Sequence, residues 1–123
     1  MSGICIYAEQ YENRIEESAF ELITAARALS AQSGEHIMAL VLGQDPDALS
    51  RQLSFQDVQV AAVKTEISAL QDDALSICVA EALRQLAPSS VLIPANRTCR
   101  ALFSRVAARM DVGLTADCSE LFL

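Results

Sequence analysis

Four short apolar runs, each followed by polar residues, divide the chain into alternating segments. The runs are residues 4–8, 37–42, 58–63 and 91–95. Apolar runs of this length are typical of strands that are buried on both faces of a sheet. In the C-terminal segment LTADCSELFL, the alternation of Leu114, Ala116 and Cys118 predicts a half-covered final strand. The pattern therefore predicts five strands.

The segment between the first two runs predicts a long amphipathic helix, because its apolar residues recur at helical spacing. They are Ile15, Ala19, Leu22, Ala26 and Leu29. Asn13, with Glu16 three positions later, resembles a capping box at the helix start. Gly34 is well placed to end the helix.

Two further helices are predicted between the later runs. Asp45 is positioned as the N-cap of a short helix over residues 46–53, which begins with a proline. Negative charge at Asp72 and Asp73 suits the start of a helix that ends ahead of Pro88. Strands and helices thus alternate along the chain.

Alternating strands and helices predict right-handed crossovers and a mainly parallel sheet with helices on both faces. We expect a three-layer, doubly wound α/β fold with five strands in the order 3-2-1-4-5. The chain has 123 residues, of which 52% are hydrophobic, with only four glycines and three prolines. Since no segment has the composition of a linker, residues 1–123 are expected to form a single domain.

The charge balance excludes several classes of partner. The formal net charge is -7, which argues against general binding to nucleic acid or to anionic membranes. No apolar run approaches the ~20 residues of a membrane span, and the N-terminus lacks the features of a signal peptide. A cytoplasmic protein is expected.

The cysteines and the single histidine do not form a recognisable site. The four cysteines stand singly, without a C-x-x-C motif, at positions Cys5, Cys78, Cys99 and Cys118. This spacing predicts reduced thiols rather than a zinc site or disulfides, with the first two in the core. His36 follows Gly34 and Glu35 and is interpreted as a solvated turn residue.

Most signatures of catalysis and nucleotide binding are absent. The first strand is followed by AEQYEN rather than by G-x-G-x-x-G, and the sequence contains no P-loop and no G-x-S-x-G motif. The acidic pairs at Glu16/Glu17 and Asp72/Asp73 are interpreted as solvated charges at helix starts. We therefore predict a protein that is not an enzyme.

The last predicted helix, from about Thr98 to Met110, carries four of the nine basic residues. At 100° per residue, one side is apolar and the arginines occupy the opposite half. The apolar residues are Cys99, Leu102, Phe103, Val106 and Met110, and the arginines are Arg97, Arg100, Arg105 and Arg109. Three interpretations remain open: a solvated face, contact with an acidic partner, or an anion site at Arg97 and Arg100.

The turn before this helix suggests how its start is arranged. Arg97 and Arg100 lie near the positive end of the helix dipole, so a negative group nearby would stabilise them. Thr98 could cap the helix, and Asn96 could order the turn by bonding to the backbone.

Five blocks occur in the order and spacing of a known family. They are YAEQ, ELITAARAL, ALVLG, VLIPA and SRVAARMDVGLTADCSEL. Together they resemble the N-terminal domain of the electron-transfer flavoprotein alpha subunit over almost the whole chain. The sequence departs from the family at Cys99, where a glycine is frequent, and at Ser104, where a proline is frequent. A side chain at Cys99 would restrict the close approach of a phosphate.

The resemblance implies a fold similar to that of adenine-nucleotide hydrolases, which has lost nucleotide binding. It also implies a partner, the beta subunit, with which the protein moves electrons from dehydrogenases to a quinone-linked or similar acceptor. The family's FAD is held mainly by a C-terminal alpha-subunit domain that would follow position 123, so no cofactor is expected in this segment. The apolar LFL end is interpreted as a truncation.

The resemblance leaves two alternatives to compare. The first is a free-standing adenine-nucleotide-binding module of the universal-stress kind, which the missing glycine loop disfavours. The second is a small hydrolase with a cysteine or serine nucleophile. The single histidine, predicted at the opposite end of the sheet from the usual ligand crevice, disfavours a hydrolase.

Overall fold

A computed structural model describes residues 3–54, 58–67, 72–110 and 120–122. Within these ranges the chain forms seven strands and four helices. In order they are β1 (Gly3–Tyr7), β2 (Gln10–Tyr11), β3 (Arg14–Ile15), α1 (Glu17–Ser33), β4 (His36–Gly43), α2 (Pro46–Leu53), β5 (Gln59–Lys64), α3 (Asp72–Leu86), β6 (Ser90–Leu92), α4 (Arg97–Met110) and β7 (Glu120–Phe122).

Five strands form the main sheet, in the order β5-β4-β1-β6-β7. The first four strands in this order run parallel, and β7 pairs antiparallel with β6 so that Phe122 lies opposite Ser90. The predicted order 3-2-1-4-5 is therefore confirmed. The residues on which the final strand was predicted, 114–118, lie outside the described residues, and the strand seen in that segment is β7.

The two faces of the sheet bury separate apolar clusters, because neighbouring residues of a strand point to opposite sides. From β1, Cys5 and Tyr7 pack with α3 and α4, whereas Ile4 and Ile6 pack with α1 and α2. The Tyr7 ring meets Phe103 of α4 edge to face, with ring centroids 5.0 Å apart. The three-layer arrangement predicted from the alternating pattern is confirmed.

The start of α1 differs from the prediction. The helix begins at Glu17, and its N-cap residue Glu16 makes no side-chain cap bond. Asn13 instead lies with Glu12 at the tip of a two-residue hairpin between β2 and β3, where both residues have positive φ angles of 63° and 50°. Asn tolerates this left-handed conformation, so the capping box predicted at Asn13 and Glu16 is wrong.

Other helix ends follow the prediction. Gly34 ends α1 in the left-handed conformation, with φ of 75°, and Asp45 caps α2 by accepting a bond from the Ala48 amide at 3.1 Å.

Gly43 at the end of β4 has no room for a side chain, because an added Cβ would lie 2.5 Å from Leu49 Cδ1. This contact brings α2 close to the sheet.

His36 is not a solvated turn residue as predicted. It is the first residue of β4, is half-buried, and lies so close to Gly3 that a Cβ there would be 2.7 Å from its ring. The pairing of Gly3 with His36 in the parallel ladder explains this position. His36 does lie at the amino ends of the strands, away from the edge where ligands usually bind.

Candidate functional site

The carboxyl ends of the parallel strands meet at one edge of the sheet, where open α/β folds usually bind ligands. Among the described residues, this edge holds a small crevice of about 40 Å³. Its lining residues are Tyr7, Glu9, Gln10, Leu42, Ile67, Leu75, Thr98, Cys99 and Leu102. A cavity of roughly 10–15 Å³ holds one water, whereas ligand pockets usually measure roughly 300–1,000 Å³, so this crevice is too small for a nucleotide.

Asn96 organises the start of α4 at this edge. Its side-chain oxygen accepts a hydrogen bond from the Cys99 amide at 2.9 Å, and its carbonyl accepts one from the Arg100 amide at 2.9 Å. Asn is among the best N-cap residues, because it satisfies an amide that has no partner within the helix. Asn96 is thus the cap, whereas Thr98, predicted as a possible cap, lies within the helix.

The same Asn96 holds a carboxylate in front of the helix. Its Nδ2 donates to Glu9 Oε1 at 2.8 Å, and Glu9 directly follows the core residue Ala8. The backbone of Glu9 is fixed as well, because its carbonyl accepts from the Glu16 amide at 2.8 Å. Glu9 therefore supplies a negative charge near the positive end of α4, where the helix dipole favours it.

The carboxylate of Glu9 makes the edge a poor site for an anion. A ligand phosphate would meet a like charge, and the Cys99 amide is already bonded to Asn96. The Cys99 side chain, which was predicted to restrict the close approach of a phosphate, is buried in the crevice wall. It therefore also disfavours phosphate binding. The crevice residues do not fit a nucleotide phosphate, so the interpretation of Arg97 and Arg100 as an anion site within this crevice is not supported.

The titratable groups behind Glu9 are held neutral. Burial, together with the charge and hydrogen bond of Glu9, raises the pKa of the Cys99 thiol well above its ordinary range. Burial and the nearby Cys99 and Glu9 raise the pKa of Tyr7 in the same way. A protonated, buried thiol is a poor nucleophile, so this cluster lacks the chemistry of a cysteine hydrolase.

The β2–β3 hairpin follows β1, at the place in the chain where dinucleotide-binding folds have a glycine-rich loop. Gln10 Nε2 donates to the carbonyl of Leu42 at 3.1 Å, and Gln10 Oε1 accepts from the Asn13 amide at 3.0 Å. The hairpin also bonds to Gln52 of α2, which donates to the Asn13 carbonyl at 2.7 Å. These bonds hold the hairpin against the sheet and α2.

The four arginines of α4 do not form one free face. Arg105 pairs with Asp73 of α3 at 2.5 Å, and Arg109 Nε donates to the buried Ser76 hydroxyl at 2.8 Å. Arg84 of α3 in turn donates to the Arg109 carbonyl at 3.0 Å. Arg105 and Arg109 therefore hold α4 against α3.

The predicted apolar side of α4 is confirmed, because Cys99, Leu102, Phe103 and Val106 are buried.

Arg97 and Arg100 lie at the other end of α4 and are exposed. Within the described ranges, neither side chain makes a hydrogen bond or an ion pair. The sequence periodicity grouped all four arginines because they share the polar half of the helix. It could not show that α3 contributes acceptors to only two of them.

A larger groove of about 400 Å³ lies at the opposite edge, beside the end of α1. Leu29, predicted to face the core, is 39% exposed and lines this groove.

The Ser89 hydroxyl hydrogen-bonds to the Glu35 carboxylate and lies 3.2 Å from the Gly3 carbonyl oxygen. These contacts tie the start of β6 to the start of β1.

The described residues show neither a metal cluster nor a membrane-spanning helix. That part of the chain contains no group of three or more His, Cys, Asp or Glu side chains arranged to hold a metal ion. None of its helices combines the length and apolar character needed to cross a membrane. Cys5, Cys78 and Cys99 are free thiols, of which Cys78 is only half-buried.

Comparison with known proteins relates the whole fold to one family. The model of the electron transfer flavoprotein domain matches residues 4–122. A lactate dehydrogenase (NAD(+),ferredoxin) subunit LctC of Acetobacterium woodii is 34% identical over 97% of this chain and 29% of its own length. The electron transfer flavoprotein subunit alpha of Megasphaera elsdenii is 29% identical over 97% of this chain and 36% of its own length.

A third relative, an acryloyl-CoA reductase electron transfer subunit beta of Anaerotignum propionicum, is 29% identical over 96% of this chain and 33% of its length. The chain thus spans about a third of the length of the curated relatives it matches. The resemblance to the N-terminal domain of an electron-transfer flavoprotein alpha subunit is confirmed. On the match over residues 4–122, the chain belongs to the electron transfer flavoprotein domain family.

Proposed function

We propose that this domain is the N-terminal, non-catalytic part of an electron-transfer flavoprotein alpha subunit and that it supports assembly with the beta subunit. In this role the complex carries electrons from dehydrogenases to a quinone-linked or similar acceptor. The observation that carries the proposal is the small crevice at the strand ends of the described residues, where Asn96 holds Glu9 before α4. In a domain of this family, so small a crevice favours a protein-binding role over a ligand-binding one.

The FAD of the complex is assigned to a second domain rather than to this one. The crevice at the strand ends is small, and its entrance carries the carboxylate of Glu9. The Asn96 side chain already occupies an amide of α4 that could otherwise bind a phosphate. In this proposal the domain contributes contacts between subunits. We also propose a cytoplasmic location, which the free thiols at Cys5, Cys78 and Cys99 support.

Association with the beta subunit tests the proposal directly. The domain, and separately the full-length product of its gene, would be co-expressed with the cognate beta subunit and analysed by size-exclusion chromatography. Co-elution of the beta subunit with either form is the expected result. If neither form associates with the beta subunit, the proposed role is wrong.

The alternative, an adenine-nucleotide-binding module, makes the opposite prediction. A nucleotide site would give a rise in melting temperature with ATP or AMP, because a ligand that binds only the folded state stabilises it. The like charge of Glu9 and the small crevice give no support to this alternative.

A further inference from the structure

We propose that Tyr11, Arg97 and Arg100 form one docking surface, here called the edge surface, for an acidic patch on the partner protein. The proposal rests on the proposed function, because the partner is taken to be the beta subunit. It narrows the contact from the four arginines of α4 to two of them and adds an aromatic residue that the sequence pattern did not indicate.

Tyr11 is the most exposed large apolar side chain in the described residues, at 68%. It stands on β2, opposite Arg14 in the hairpin. A tyrosine offers a large contact area with few rotatable bonds, so it loses little entropy on binding, and tyrosine is enriched at the energetic centres of interfaces. An exposed tyrosine is therefore well suited to insert into a partner's apolar pocket.

The backbone that carries Tyr11 is already ordered. Gln52 donates to the Asn13 carbonyl at 2.7 Å and accepts from the Ile15 amide at 2.8 Å, while the Asp45 amide donates to Asn13 Oδ1 at 3.1 Å. A preorganised element reduces the entropy that association must overcome. The hairpin thus presents Tyr11 in a fixed position.

The two arginines provide charge that the described residues do not neutralise by direct contact. Arg105 and Arg109 bond to Asp73 and Ser76, but Arg97 and Arg100 have exposed side chains without such bonds. Arginine is also enriched at interface centres, where its planar group binds carboxylates in a bidentate manner. The pair is therefore available to carboxylates of a partner.

The Glu9–Asn96 hydrogen bond joins the two halves of the edge surface. Glu9 lies two positions before Tyr11, and Asn96 directly precedes Arg97, so the 2.8 Å bond brings the hairpin next to the start of α4. The charge of the two arginines favours an acidic partner surface. Because the chain carries -7 overall, an acidic partner is repelled by most of the protein and is oriented towards these two exposed arginines during encounter.

The test measures binding of the cognate beta subunit to the full chain by isothermal titration calorimetry. Tyr11→Ala and the double variant Arg97→Glu/Arg100→Glu are each expected to weaken binding roughly tenfold or more. Control variants on other faces, Ile77→Ala on α3 and Arg27→Glu on α1, are expected to change the Kd less than about twofold, since interface-remote changes are near neutral. Circular dichroism confirms that each variant is folded.

Each outcome separates this proposal from the proposed function. If the unmodified chain binds the beta subunit and the edge variants bind equally well, the edge surface is wrong and the function stands. If neither the unmodified chain nor the full-length product of its gene binds, both fail. If sedimentation shows that the edge variants abolish self-association while leaving beta-subunit binding unchanged, the occupant is a second copy of this chain and the assignment of the partner is overturned.

Discussion

Asn96 donates to the carboxylate of Glu9 at 2.8 Å while its own side-chain oxygen caps α4 through the Cys99 amide. One side chain thus links the end of β1 to the beginning of α4 and places an internal negative charge where a ligand's anion would otherwise lie. This relationship ties the end of β1 to α4 and disfavours a nucleotide phosphate in the crevice.

Replacing Asn96 should therefore destabilise the fold more than replacing its neighbour Thr98. Asn96→Ala removes the cap and the bond to Glu9, with an expected loss of about 1–2 kcal/mol in the free energy of unfolding. Thr98→Ala, at an exposed position within the helix, should cost less than about 0.5 kcal/mol. Urea denaturation measures both. Equal losses in the two variants would show that Asn96 is not the cap.

Gly43 should not tolerate a side chain, because of its contact with α2. A Cβ there would lie 2.5 Å from Leu49 Cδ1 and 3.2 Å from Gln10 Nε2. Gly43→Ala is expected to lower the free energy of unfolding by about 1–3 kcal/mol through overpacking.

Gly34→Ala is the matched control for Gly43→Ala. It has open space around it and should lose only about 1 kcal/mol, through its positive φ. Thermal or urea denaturation compares the two variants. A Gly43→Ala protein as stable as the unmodified chain would contradict the close packing of α2 on β4.

The stability of the protein should fall at alkaline pH because of buried acids. Burial raises the pKa of Cys5 from 9.0 to about 12, so above pH 9 the unfolded state loses this proton while the folded state keeps it. The contribution of Cys5 is complete below pH 9 and decreases as the pH rises towards 12. Tyr7 and Cys99 have pKa values shifted in the same direction.

Replacing Cys5 isolates its share of this pH dependence. Between about pH 8 and pH 10, the free energy of unfolding of the unmodified chain should fall by roughly 1.4 kcal/mol more than that of Cys5→Ala. Urea denaturation in the presence of a reducing agent measures the difference. Parallel pH profiles for the two proteins would show that the Cys5 thiol is not shielded from solvent.

Adenine nucleotides should leave the melting temperature unchanged. Among the described residues, the carboxylate of Glu9 and the 40 Å³ crevice disfavour a phosphate at the strand ends. Differential scanning fluorimetry with millimolar ATP or AMP checks this expectation. A dose-dependent rise in melting temperature would support the nucleotide-binding alternative instead.

Much of the fold could be predicted from local pattern. The apolar runs predicted the strands because parallel strands are buried on both faces, and Gly34 and Asp45 marked helix ends through their own backbone chemistry. The β2–β3 hairpin was missed because Asn13 suits either a helix cap or a left-handed turn. The choice between them depends on bonds from Gln52 and Asp45, more than thirty residues away.

The candidate site was less predictable than the fold. Glu9 follows the first strand directly, and this position was the only sequence signal for its role, since its partner Asn96 is 87 residues away. The periodicity of α4 placed Arg97 and Arg105 in the same polar half but contained no information on Asp73 of α3. Contacts between elements, rather than patterns within one, decided which arginines stay free.

The most direct test of the central claim is sedimentation velocity of the full-length gene product mixed with its cognate beta subunit. We predict a single faster-sedimenting species with the mass of a one-to-one complex. Two independent boundaries at the masses of the separate chains, at concentrations well above those in the cell, would contradict the account.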